Sequence, residues 1–82
     1  MKERKKTYIL RMGNEYLSAI IEMWTGSGKY SRVLTPYKYD AARIADLIRA
    51  KSIVRRICEE GEKWQVVLFD PLTGTEEKVW EY

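Results

Sequence analysis

The stretch GKYSRVLTPYKY, Gly28 to Tyr39, sets Lys29, Arg32 and Lys38 among Tyr30, Tyr37 and Tyr39. Cations neutralise phosphates while aromatic rings stack on unpaired bases, so this alternation could hold a nucleic acid on a sheet surface. The basic start of the chain, Lys2, Arg4, Lys5 and Lys6, would extend that footprint. The same residues also suit a plainer arrangement, in which the tyrosines roof a helix-sheet core and the cations are solvated.

Catalytic chemistry finds few candidates. The chain has no histidine, so the commonest general base and the commonest transition-metal ligand are both missing, and Ser-His and Cys-His nucleophile pairs are excluded. Cys58 could act as a nucleophile only if a cation lowered its pKa, and Arg56 stands two residues away; a buried structural thiol is the ordinary alternative. GSGK, Gly26 to Lys29, resembles the end of a phosphate-binding loop, but Met23 stands where its first glycine is needed and Tyr30 replaces the Ser or Thr that would hold magnesium. The carboxylates Glu59, Glu60 and Glu62, and Glu76 and Glu77, fall at expected turns without the spacing of a calcium loop. No catalytic residue, metal site or cofactor is expected, and the chain reads as a binding protein and not an enzyme.

A different kind of site is suggested by KWQVVLF. Trp64, Val66 and Leu68 point one way while Val67 and Phe69 point the other, so the strand is apolar on both faces. One helix covers one face of a sheet. Unless a loop or the tail covers the second, Val67 and Phe69, joined by Trp80 and Tyr82, form an apolar patch of the kind that marks a protein interface, with a second copy or with another protein. Arg55 and Arg56 are consecutive in an expected strand, so alternation sends them to opposite faces. The one on the covered side would need a carboxylate, from Glu22 or the acidic C-terminal hairpin. Arg43 and Arg49 have Asp46 three residues from each and read as a solvated helix face.

The elements that would position these groups follow from periodicity. TYILRM and EYLSAIIEMW form two strands around Gly13-Asn14, with Gly13 supplying the positive φ of a type II′ turn. Pairing Met12 with Glu15 puts Tyr8, Leu10, Leu17 and Ala19 on one face and Ile9, Arg11, Tyr16 and Ser18 on the other. After the turn residues Thr25 to Gly28, a third strand, Lys29 to Thr35, stops at Pro36. Asp40 is placed to cap a helix from Ala41 to Ala50, whose stripe is Ala41, Ile44, Ala45, Leu47 and Ile48. The β-rich run Ser52 to Glu59, a turn at Glu60 to Glu62, then KWQVVLFD and EKVWEY complete the order β-β-β-α-β-β-β. The expected fold is α+β, a twisted antiparallel sheet of five or six strands with one helix on one face.

With 82 residues the chain is expected to be one domain: a flexible basic tail over residues 1–6, strands over 7–35, a helix over 40–50 and strands over 52–82. Apolar residues make 45% and charged residues 33%, the balance of a folded chain and not of a disordered one. Three Trp and six Tyr are many for this length and serve small cores and interfaces alike. One cysteine permits no internal disulfide, which favours a reducing cytoplasm. No apolar run approaches the roughly 20 residues that span a bilayer, and no secretory leader is legible before Arg11. The net charge of +3 conceals an asymmetry: Met1 to Arg56 carries 13 Lys and Arg against 5 Asp and Glu, and Ile57 to Tyr82 carries 2 against 7. Such polarity suits a basic face for nucleic acid, an acidic face for a basic protein, or mutual neutralisation within the fold.

TYILRMGNEYLS, the aromatic segment after it and DAARIADLI followed by a β-rich strand resemble small proteins encoded by phages and prophages of Gram-positive bacteria. The second hairpin, Lys63 to Tyr82, departs from that pattern. The resemblance implies a mobile-element accessory protein in the host cytoplasm, of a class that includes anti-CRISPR inhibitors. Such a protein would occlude a host protein surface, including that of a nucleoprotein defence complex.

Overall fold

The structure, a computed structural model, describes residues 6–22 and 30–82. Lys2, Arg4, Lys5, the turn Thr25 to Gly28 and Lys29 lie outside the described residues. The sheet contains β1 (Thr7–Met12), β2 (Glu15–Glu22), β3 (Tyr30–Thr35), β4 (Gln65–Asp70) and β5 (Thr75–Glu81). All neighbours are antiparallel, in the order β3-β2-β1-β4-β5, and one helix, α1 (Leu47–Ile57), packs on the sheet. The α+β expectation therefore holds, with the element order β-β-β-α-β-β.

The first hairpin follows its sequence. Met12 pairs with Glu15, and φ is positive at Gly13 (61°) but not at Asn14, as a type II′ turn requires. The helix does not follow: the expected Ala41–Ala50 span gives way to Leu47–Ile57, and Ser52–Glu59 is the second half of this helix and its exit, not a strand. Asp46, not Asp40, caps it, its carboxylate accepting from the Ile48 amide at 3.1 Å. Leu47, Ala50, Val54 and Ile57 recur at helical spacing, and the last three are buried. Burial of that stripe, about 1.5–3 kcal/mol for each large apolar side chain, outweighs the β preference of Ile53 and Val54, which spans only about 1 kcal/mol. Ile48, assigned to the buried stripe from the sequence, is 77% exposed.

Residues 41–44 are unavailable to the helix because they cross the sheet. β1 and β2 pair only at Arg11–Tyr16 and Met12–Glu15 and then diverge. Into the fork runs the segment after the short 3-10 turn Lys38–Asp40: the Ala42 amide donates to the Leu17 carbonyl (2.8 Å), and Tyr8 and Ile44 exchange two backbone bonds (2.8 and 2.9 Å). Ala41 packs with Ile9, Tyr16, Val67 and Phe69 on one face, whereas Ile44 packs with Leu10, Leu17, Trp64 and Val66 under α1 on the other. The chain thus passes between β1 and β2 and covers both faces, with small side chains at Ala41 and Ala42 where it threads through. Buried backbone groups must find partners, and the open edges of the fork supply them.

This crossing removes one expected interface. Val67 and Phe69 point away from α1, as alternation requires, but both are 0% exposed. Tyr39 meets Phe69 edge-on with ring centroids 5.3 Å apart, and the Arg43 guanidinium lies 5.9 Å from the same ring. Trp80 does not join them: a register shift between Val66 and Val67 pairs Val66 with Trp80, which puts the indole on the α1 face.

Candidate functional site

Cations on this molecule occur in two conditions. Those on the strands and on the 3-10 turn are held by carboxylates. The Arg32 guanidinium, on β3, donates to the Glu62 carboxylate, to Glu59 Oε2 at 3.0 Å and to the Ile57 carbonyl at 3.1 Å, closing the last turn of α1. Its side chain is 16% exposed and stands 5.9 Å from the Trp64 ring. Glu62 also accepts from the Glu59 amide (2.9 Å) and the Trp64 indole N–H (3.2 Å). The bond from Arg32, helped by these two donors, holds the Glu62 carboxyl well below its ordinary range, at about 2, against the opposing effect of burial.

A second group sits on the opposite face of the sheet. Arg11 donates to Gln65 Oε1 (3.1 and 2.6 Å) and to Glu76 Oε1 (3.1 Å), and the Tyr16 hydroxyl donates to the same carboxylate (3.1 and 3.0 Å). Burial, then donation to Glu76, raises the Tyr16 pKa. Lys38 donates to the Gly74 carbonyl at 2.5 Å and lies 3.9 Å from Glu76. Gly74 has φ +74°, a conformation that strains other residues, and a Cβ there would stand 2.8 Å from the Tyr39 hydroxyl and displace that side chain.

Cys58 caps the C-terminal end of α1, its thiol directed at the Glu59 and Glu62 carbonyls at 3.5 and 3.6 Å. Burial and the neighbouring Glu62 raise its pKa, and Arg32 only partly opposes them, which is the reverse of what a thiolate nucleophile needs. Glu62 and Glu76 hold arginines, so neither is a free acid-base group.

The cations of α1 are in the other condition. Arg49, Lys51, Arg55 and Arg56 occupy an eleven-residue helix that contains no carboxylate. Arg49, Arg55 and Arg56 are exposed, and among the described residues none of the four forms an ion pair. Lys51 and Arg55 lie over the Trp80 ring at 5.5 and 5.6 Å from its centroid, and Trp80 is tilted against Tyr82 at 5.5 Å. Ring contacts of this kind are worth about 0.5–1 kcal/mol at exposed sites and do not neutralise the charge. Lys51 and Arg55 are also one turn apart, a like-charge pair that costs a few tenths of a kcal/mol. Arg43, Ile44, Ala45, Asp46, Arg49 and Ile53 line a hollow of about 470 Å³ beside the first turn of α1.

The expected nucleic-acid segment is therefore divided. Arg32 and Lys38 are internally paired, Tyr39 packs on Phe69, and Tyr37 is exposed. Lys29 and the Tyr30 side chain lie outside the description. Of the expected interface, Val67 and Phe69 are buried, whereas Arg55, Arg56, Trp80 and Tyr82 remain at the surface, the first two through a helix and not through alternate faces of a strand. Neither arginine needs the buried carboxylate that a strand would have demanded. The sequence reads Arg49 only as part of a solvated helix face and does not single out Lys51; the signal is four cations without a carboxylate across one helical period pattern, LIRAKSIVRRI. The Arg32–Glu62 pair had no local signal, because its members are thirty positions apart.

No protein-family model, curated protein or solved structure matches this chain.

Proposed function

We propose that this chain is a non-catalytic binding protein that engages nucleic acid through the outer face of α1, with Trp80 and Tyr82 at its margin. One observation carries the reading: the helix presents four cations and no carboxylate, while Arg11, Arg32 and Lys38 are neutralised within the fold. The Lys51–Arg55 repulsion costs the helix a few tenths of a kcal/mol, phosphates beside the pair would relieve it, and the counterions those phosphates release would drive binding. Four phosphate contacts on a duplex give a slope of about −3.6 in log K against log salt, a loss of roughly 100-fold between about 50 and 200 mM.

The test is fluorescence anisotropy with labelled DNA and RNA across that salt range. Binding with such a slope, removed when Arg49, Lys51, Arg55 and Arg56 all become Gln, supports the reading. Absence of binding at the lowest salt refutes it.

The second reading is occlusion of a host protein, the role implied by the resemblance to phage-encoded proteins. The grouping of Arg55, Trp80 and Tyr82 favours it, since Arg, Trp and Tyr dominate the energetic centres of protein interfaces. A protein partner whose affinity is lost in Arg55→Gln and in Tyr82→Ala, but unchanged in Arg49→Gln with Arg56→Gln, would select that role.

A further inference from the structure

The distribution of charge around α1 identifies the form of nucleic acid, and this step rests on the reading just proposed. Successive residues turn by about 100° around a helix axis. Measured from the buried line of Ala50, Val54 and Ile57, Lys51 and Arg55 lie on one flank and Arg49 and Arg56 on the other. Between them stand Ile48, which is exposed, and Ser52, which is half-buried beside it; neither is charged. Arg49 lines, with Ile53 and the N-cap Asp46, the hollow beside the first turn, which places this flank on the side away from Trp80, while the Arg43 guanidinium lies against Phe69 on the other face of the sheet. The helix thus carries two rows of cations with a neutral ridge between them.

We infer that α1 seats in the major groove of a B-form DNA duplex, with the Lys51–Arg55 row facing one phosphate backbone, the Arg49–Arg56 row facing the other, and Ile48 and Ser52 facing the base edges. The dimensions agree. A helix with side chains is about 10–12 Å across, and the groove is about 12 Å wide. Arg49 and Arg56 are seven residues apart, about 10 Å along the axis, so the row spans several phosphates. An apolar side chain at the crest can touch a thymine methyl, and a serine hydroxyl can donate to or accept from a base edge.

Other anionic polymers fit less well. A single strand needs a run of aromatic faces for its bases, but on this face the Trp80 ring packs on the core and lies under Lys51 and Arg55, which leaves Tyr82 as the exposed ring at the margin. A-form RNA has a deep, narrow major groove that does not admit a helix. An anionic membrane would require an apolar band where the crest offers the single large apolar side chain of Ile48.

The experiment compares a short DNA duplex, the RNA duplex of matching sequence, each single strand and vesicles of anionic phospholipid, at one salt concentration. DNA duplex binding is expected to be about tenfold or more tighter than RNA duplex binding. Methyl green, which occupies the major groove, is expected to displace the protein, and netropsin, which occupies the minor groove, is not. The variants Arg49→Gln with Arg56→Gln, and Lys51→Gln with Arg55→Gln, should each weaken binding while the thermal midpoint stays near that of the parent. Equal affinity for the two duplexes, tighter binding to a single strand, or displacement by netropsin alone overturns the groove assignment and leaves nucleic-acid binding in place. Binding to vesicles alone, or to nothing, overturns both.

Discussion

Arg32 and Arg55 are the same side chain in opposite situations. Arg32 reaches across from β3 to two carboxylates and a helix carbonyl and is largely withdrawn from water. Arg55 stands one turn from Lys51, exposed, with a tryptophan ring beneath it and no carboxylate partner among the described residues. The contrast separates two uses of positive charge in a small domain. A cation taken from water must be paired, and then it fixes structure; a cation left in water contributes little to stability and remains available to a partner.

The largest expected effect therefore falls on the paired set. Arg32→Ala would leave the half-buried Glu62 carboxylate without its cation and the last carbonyl of α1 without its donor, and roughly 3 kcal/mol of stability should be lost in urea denaturation. A loss below about 0.5 kcal/mol would erase the distinction between the two sets.

Next comes the acid limb of the stability curve. Glu62 has an ordinary pKa of 4.5 when unfolded and about 2 when folded, so its contribution is full above about pH 4.5 and disappears as the pH falls toward 2. Glu62→Gln should flatten that limb by on the order of 2 kcal/mol, read from denaturation midpoints between pH 5 and pH 2. An unaltered limb would mean that the Arg32 pair does not govern Glu62.

The smallest effect is expected on the exposed helix. Arg56→Ala should change stability by less than about 0.5 kcal/mol, and Arg55→Ala by less than about 1 kcal/mol, since it removes only an exposed ring contact on Trp80 and relieves its repulsion with Lys51. Losses above about 1.5 kcal/mol would show that these side chains are structural after all.

Much of this was legible in the sequence. The two faces of β1 and the two-sided character of β4 follow from alternation and appear in the fold, whereas the hairpin register holds only at the two pairs beside the turn, since Tyr8 pairs with Ile44 and not with Ala19. The helix was misplaced because Asp40 and Asp46 offer similar caps, and because the choice between them depends on the fork between β1 and β2, which recruits Ala42 and Ile44 for backbone bonds. That fork is a tertiary feature without a local signature. The same event decided the candidate site, since it buried Val67 and Phe69 and moved Arg55 and Arg56 from strand to helix. The pairing of Arg32 with Glu62 and of Arg11 with Glu76 was hidden for the same reason: long-range partners are fixed by topology, not by neighbours in the chain.

The central claim, that the α1 cations and not the strand cations face the partner, is tested most directly by one titration in which equal charge is removed from the two sets. A labelled DNA duplex would be titrated at about 100 mM salt with two double variants, Arg49→Gln with Arg56→Gln and Arg11→Gln with Lys38→Gln, each confirmed folded. The expected result is a loss of about tenfold or more for the helix pair and affinity within about twofold of the parent for the strand pair. Equal losses in both variants, or a loss confined to the strand pair, would contradict it.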